Sequence, residues 1–220
     1  MRMHTNTYEL LPLHRVAVLA SISVVDGVRL EDLTRPTPCA EWTLVDLLTH
    51  MTVQHRGFGF AARGFGGDQE IWRPETVLAS VTADPAGTYA AAAHDALDAF
   101  ATDGAADVEF VLPDFGGVKV PGVMAMGFHF VDYVAHGWDV AATLGVPFVL
   151  PTDVVDAVLP LVRAVPDGDF RDQPGAPFAR AVEPAGAGDL DVVLRHLGRR
   201  PEWNQAYSTV TGAWSDQRNA

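Results

Sequence analysis

Apolar residues recur along this chain mostly at helical intervals, with strict alternation confined to one short region. Leu11, Val18, Ile22 and Val25 share one face of a 3.6-residue repeat, which predicts a first helix over residues 7–26. Pro36 and Pro38 keep residues 35–40 out of a helix. A second helix is predicted to follow Thr43. Thr43 suits its N-cap, Asp46 stands three positions on as the acid of a capping box, and Leu44, Leu47, Leu48 and Met51 form the apolar stripe. This helix is expected to end in the glycine-rich stretch 57–67. Gly57-Phe58-Gly59 within it follows no strand, so no dinucleotide-binding turn is read there.

Pro85 suits the first turn of a third helix, with Tyr89, Ala93, Leu97 and Phe100 on one face. Residues 108–112 and 118–120 alternate around Pro113-Asp114-Phe115-Gly116-Gly117, the pattern of a hairpin. Pro121 opens a fourth helix that runs to Leu144, with Gly145 as its stop. Pro151 starts a shorter helix to Ala164. Residues 165–188, rich in Pro, Gly and Asp, are expected to form a long surface loop, and a last helix over 190–197 closes before Gly198. No internal repeat is present. The pattern predicts a mainly α protein: a four-helix bundle with a small β-hairpin over 1–150, and a short C-terminal helical extension over 151–220 packed on it.

Charge narrows the partners. Lys and Arg number 15 against 28 Asp and Glu, a net charge of -13, and Lys119 is the sole lysine. Such a surface repels a phosphate backbone, so no nucleic-acid partner is expected. No apolar run approaches the roughly 20 residues that span a bilayer, and no membrane partner is expected. The nearest candidate, 16–25, ends at Asp26 and lacks a cleavage site, so it reads as helix. Cys39, the one cysteine, excludes an internal disulfide and a multi-cysteine zinc site, and fits a reducing, cytoplasmic compartment.

The fourth predicted helix departs from the rest. Between Val120 and Leu150 there is no Lys, Arg or Glu, and the only charged residues are Asp132 and Asp139. A helix apolar almost all round should be buried. Yet His129, Asp132, His136 and Asp139, at steps of 3, 4 and 3, lie on one stripe. A buried polar stripe costs free energy unless something satisfies it. Either a divalent ion does so, held by the i, i+4 pair Asp132 and His136, or these two form an ion pair, or the stripe is the exposed face of a half-buried helix. His50, within the second helix, completes a two-histidine, one-carboxylate set of the kind that holds catalytic zinc or related metals with room for water. The three heads are then expected within about 5 Å of one another, since such bonds run about 2.0–2.2 Å.

Around this set, His129 is placed to orient Asp132, to bind substrate or to add a fourth ligand. Asp139 is placed either to accept the free ring N–H of His136, or to hydrogen-bond along its own helix or meet solvent. Trp42 and Trp138 are expected to be packing residues, His55 and His94 surface residues, and His14 a residue pointing into the bundle. Cys39 precedes His50 by eleven positions, about two to three helical turns, and is not expected to be a ligand.

Two segments carry a family resemblance. Thr37-Pro38-Cys39-Ala40-Glu41-Trp42-Thr43-Leu44-Val45-Asp46-Leu47-Leu48-Thr49-His50 resembles the start of the mycothiol-dependent maleylpyruvate isomerase metal-binding domain, a member of the DinB-like superfamily of four-helix bundles. Asp132-Tyr133-Val134-Ala135-His136-Gly137-Trp138-Asp139-Val140-Ala141 resembles its second motif. The ending Leu197-Gly198-Arg199-Arg200-Pro201-Glu202-Trp203 is similar to the tail of an actinobacterial subgroup of largely unassigned function. The resemblance implies a DinB-like bundle with metal ligands at His50, Asp132 and His136. The isomerase carries glutamate at the first of the second-motif positions. Aspartate is one methylene shorter, which draws the ion towards the fourth helix.

By the same resemblance, the expected activity is that of a divalent-metal enzyme, with zinc the first choice of metal. It would activate a low-molecular-weight thiol such as mycothiol for S-transfer or isomerisation of a small electrophile. The partner is then a small-molecule substrate, and the protein a cytoplasmic monomer or homodimer. Two other readings stand beside it: a biosynthetic enzyme performing cyclisation or elimination on a natural product without thiol, and a non-catalytic small-molecule-binding protein.

Overall fold

The structure, a computed structural model, describes residues 7–39, 41–113, 116–173, 176–183 and 188–203. Helices α1 (Thr7–Val25), α2 (Leu44–Ala62), α4 (Pro85–Phe100) and α5 (Gly122–Leu144) form a DinB-like four-helix bundle. α1 lies along α5 and α2 along α4, while α1 also meets α4 and α2 meets α5, which closes the ring. The bundle axis is filled by Val18, Leu47, Leu48, Met51, Tyr89 and Tyr133, all buried.

Caps position the two helices that matter most for chemistry. The Asp46 carboxylate accepts the Thr43 backbone N–H at 2.9 Å, satisfying a donor at the α2 N-terminus. Pro121 precedes α5, and Gly145 ends it in the left-handed conformation at φ 71°.

α2 ends inside the glycine-rich stretch 57–67, as expected. Gly57 and Gly59 stay inside the helix, which stops at Ala62. The indole of Trp72 lies against Gly57 so closely that a Cβ there would overlap the ring. Trp72 is buried and its Nε1 donates to Gly66 O at 2.8 Å. Glycine here serves close packing rather than helix termination, which outweighs its cost of about 1 kcal/mol relative to alanine. A helix not anticipated from the pattern, α3 (Glu75–Ala83), follows, and buries Val77 and Val81 against α2 and α4.

The hairpin β1 (Glu109–Leu112) and β2 (Val118–Pro121) is antiparallel, with Phe110 opposite Val120. It buries Phe110, Leu112 and Val120 against Phe58 and Phe100.

α6 (Thr152–Arg163) packs on α1 and α5, and α7 (Asp189–His196) packs on α6. The segment between them is less superficial than its composition suggests. Arg171 is only 4% exposed. Its guanidinium donates to Pro166 O at 2.8 Å, Ala179 O at 2.9 Å, His196 O at 2.6 Å and Val165 O at 3.2 Å. One side chain thus ties the described part of this segment to the end of α7. None of the described helices is long and apolar enough to cross a membrane.

Candidate metal centre

α5 sets Asp132 and His136 one turn apart, with Asp132 Oδ1 3.4 Å from His136 Nε2. α2 presents His50 opposite them, its Nε2 3.9 Å from Asp132 Oδ2. One ligand atom from each of the three lies within 4.8 Å of the other two. The His50 and Asp132 side chains keep 28% and 23% of their surface, whereas that of His136 keeps 5%. Two imidazole nitrogens and a carboxylate, sealed on the His136 side and open on the His50 side, suit a divalent ion with positions left for a small ligand.

Asp139 accepts at Oδ2 from Nδ1 of His136 at 2.9 Å. That fixes the ring so that Nε2 faces Asp132 and His50. Two further side chains meet Asp139, and neither was foreseen. Arg199, buried beyond the end of α7, donates from Nη2 to Oδ2 at 2.9 Å and from Nε to Oδ1 at 3.3 Å. Cys39 donates from Sγ to Oδ2 at 3.2 Å, lies 3.8 Å from His136 Nδ1, and accepts from Arg199 Nη2 at 3.3 Å.

Cys39 reaches the site because the chain doubles back before α2. Thr37 N–H donates to Trp42 O at 3.1 Å, and Pro36 pairs with Thr43 in an antiparallel bridge. Counting helical rise from His50 therefore misplaces it. Cys39, His136 and Asp139 also converge within 4.8 Å. A guanidinium already occupies their common side and Nδ1 is engaged, so this group orients His136 and repels a second cation.

The charges reinforce each other. Burial acts to raise the Asp132 pKa, but His136, aided by His50 and Arg199, holds it below the usual carboxylate range. Burial acts to lower that of His136, but Asp132, the neighbouring Cys39 and the bond to Asp139 raise it well above the usual histidine value. Asp139 is likewise opposed by burial and held low, chiefly by Arg199 and then by His136.

Other expected residues fall elsewhere. His129 does not orient Asp132, because both its ring nitrogens are engaged in the core: Nδ1 with His14 Nε2 at 2.8 Å and Nε2 with His55 Nδ1 at 3.1 Å. His55, expected at the surface, is fully buried, while His94 is exposed. His14 does point into the bundle. Trp42 lies beside the site, its ring centroid 4.9 Å from that of His50 and 6.4 Å from that of His136. Trp138 packs against the apolar cluster shared by α1, α5 and α6.

Residues 16–141 match the family model described as the mycothiol maleylpyruvate isomerase N-terminal domain. The chain belongs to this family. Uncharacterized proteins MT0763 and Rv0738 of Mycobacterium tuberculosis are each 33% identical to it over 169 residues, covering 76% of this chain and 84% of theirs. A crystal structure of the mycothiol-dependent maleylpyruvate isomerase superposes with a TM-score of 0.56 at 14% identity, over 76% of this chain and 72% of that one, and shares the fold. The matched residues 16–141 include His50, Asp132, His136 and Asp139 and stop short of Arg199.

Proposed function

We propose that this protein is a divalent-metal enzyme that activates a low-molecular-weight thiol, mycothiol or a close analogue, for S-transfer or isomerisation of a small electrophile. The observation that carries this reading is the convergence of His50, Asp132 and His136, with His136 Nδ1 held by Asp139. His50 Nε2, His136 Nε2 and an Asp132 oxygen would hold the ion, with zinc the first choice. When bound, a divalent ion supplies Lewis acidity that favours the thiolate form of a coordinating thiol.

The chain's own residues prepare that step. Asp139 keeps His136 turned so that Nε2 faces the cluster. Arg199 neutralises Asp139 and so keeps its carboxylate ionised as a fixed acceptor. Trp42 walls one side of the cluster. Cys39, held by Arg199 and Asp139, sits on the far side of the His136 ring from Asp132, so the incoming sulfur comes from a separate molecule. The lone cysteine and the acidic surface fit a cytoplasmic protein, monomeric or dimeric, that acts on a small molecule.

The test is cobalt substitution followed by addition of mycothiol. A sulfur-to-metal charge-transfer band should grow in the near ultraviolet in the native protein and in Cys39→Ala alike. A band present without added thiol and lost in Cys39→Ala would assign the sulfur to the protein. No band at saturating thiol would favour the thiol-free biosynthetic chemistry instead.

A further inference from the structure

The core of the bundle holds a second cluster of histidines, away from the metal ligands. His14 on α1, His129 on α5 and His55 on α2 are 1%, 0% and 0% exposed. They form a linear chain, His14 Nε2 to His129 Nδ1 at 2.8 Å and His129 Nε2 to His55 Nδ1 at 3.1 Å. The central ring uses opposite nitrogens for its two neighbours, so the three do not converge on one ion.

Proton counting constrains this chain. Three neutral rings carry three N–H groups and three lone pairs, and the two bonds use two of each. One N–H and one lone pair remain, at the outer nitrogens His14 Nδ1 and His55 Nε2, which have no hydrogen-bond partner among the described residues. An added proton would turn both outer nitrogens into unpartnered donors and place a positive charge in an apolar core.

Among the described residues, the surroundings offer that charge no counter-ion within hydrogen-bond reach. α2 contributes Phe58, α4 contributes Phe100 and Tyr89, and α5 contributes Phe130 and Tyr133. The tyrosine hydroxyls are committed elsewhere: Tyr89 bonds Ser21 on α1 at 2.7 Å, and Tyr133 donates to Met51 O. The charged or titratable groups that act on His55 from further away are Asp132, which favours a proton, and His94, which opposes one.

We propose that the His14–His129–His55 chain is an acid-release lock, joining α1, α5 and α2 only while all three rings are neutral, so that mild acid opens the bundle in one step with uptake of about three protons. Burial supports this by holding His14 down to about 3, and by holding His55 and His129 well below the usual histidine value. The sign follows from linkage. A depressed histidine contributes stability that is present above its unfolded value of about 6.5 and is lost as pH falls towards its folded value. With three such groups, the folded-to-unfolded ratio falls about a thousandfold per pH unit below about 6.5. A domain of ordinary stability would then open between about pH 4 and 5. None of the three is a metal ligand, so the lock stands independently of the metal reading.

The experiment is an acid titration of the metal-free protein, followed by circular dichroism and by NMR of the histidine rings. Three ring signals should stay neutral until the helical signal is lost, and the transition should show the thousandfold slope. His129→Gln, whose amide still donates and accepts but does not titrate, should reduce the slope to about a hundredfold per unit. Rings that titrate individually while the bundle stays folded would overturn the proposal, as would an unchanged slope in His129→Gln. Should that variant not fold, the ring titration of the unaltered protein decides.

Discussion

Asp139 sits one turn beyond His136 on α5 and accepts the Nδ1–H of its ring at 2.9 Å, turning Nε2 towards Asp132 and His50. The two carboxylates on this helix therefore have different tasks. Asp132 faces His50, where the proposed ion would sit, and Asp139 faces the ring. Asp132→Asn should abolish stoichiometric zinc. Asp139→Asn should retain it with about 10- to 100-fold weaker affinity. Metal content and competition titration against a chromophoric chelator measure both, and equal losses would reverse the assignment of the two carboxylates.

Removing the ring of the proposed ligand His136 is a harsher change. His136→Ala should eliminate bound zinc, and His94→Ala, an exposed site on α4, should leave it intact. Circular dichroism alongside separates loss of metal from loss of fold.

Proton release on metal binding gives a further check. The His136 pKa is raised well above 6.5, with Asp132 the foremost cause once burial is overcome. The raised pKa favours the protonated ring in the metal-free protein, and zinc at Nε2 would displace that proton. Calorimetry in buffers of different ionisation enthalpy should report about one proton released near pH 7. Affinity should fall about tenfold per pH unit as pH drops below the folded value. In the metal-free protein the same proton contributes stability that is complete below about 6.5 and is lost as pH rises through the folded value.

Arg199→Ala leaves the Asp139 carboxylate buried without its guanidinium. Loss of one partner of a buried pair costs about 3–5 kcal/mol, readable as a lower urea midpoint. Zinc affinity should fall with it, because Asp139 then takes up a proton more readily and orients His136 less firmly.

Gly57→Ala inverts the usual helix rule. Alanine is the better helix former by about 1 kcal/mol, yet its methyl would meet the buried Trp72 ring. Overpacking of this kind costs about 1–3 kcal/mol, so the variant should be less stable, and thermal unfolding measures it.

Much of the bundle could be read from the chain because its signals are local and periodic. Pro121 and Gly145 bracket α5, and Thr43 with Asp46 opens α2. The i, i+4 step of Asp132 and His136 places both heads on one side whatever the tertiary structure. Cys39 and Arg199 were hidden because loops deliver them. A turn between Pro36 and Thr43 sets the first, and the end of α7 sets the second. One clue to Arg199 was in view: a buried helix with two aspartates and no Lys or Arg from 120 to 150 must draw its cation from elsewhere. His55 escaped for a different reason. It stands five residues after His50, about 140° round α2 from it, on a side that turns into the core, where the rings of His129 and Tyr133 cover it.

The four carbonyls gathered by Arg171 give the centre a long reach through the molecule. His196 O is one of them, and Arg199 follows within the next turn of chain. Arg171 touches none of the three residues that would hold the ion, yet it anchors the stretch from which Arg199 enters Asp139, and Asp139 in turn orients His136. Drift at this distant arginine would retune the basicity of the ring without altering any ligand. Proteins with identical ligand triplets can therefore diverge in working pH through a residue that a comparison of their metal centres would never align.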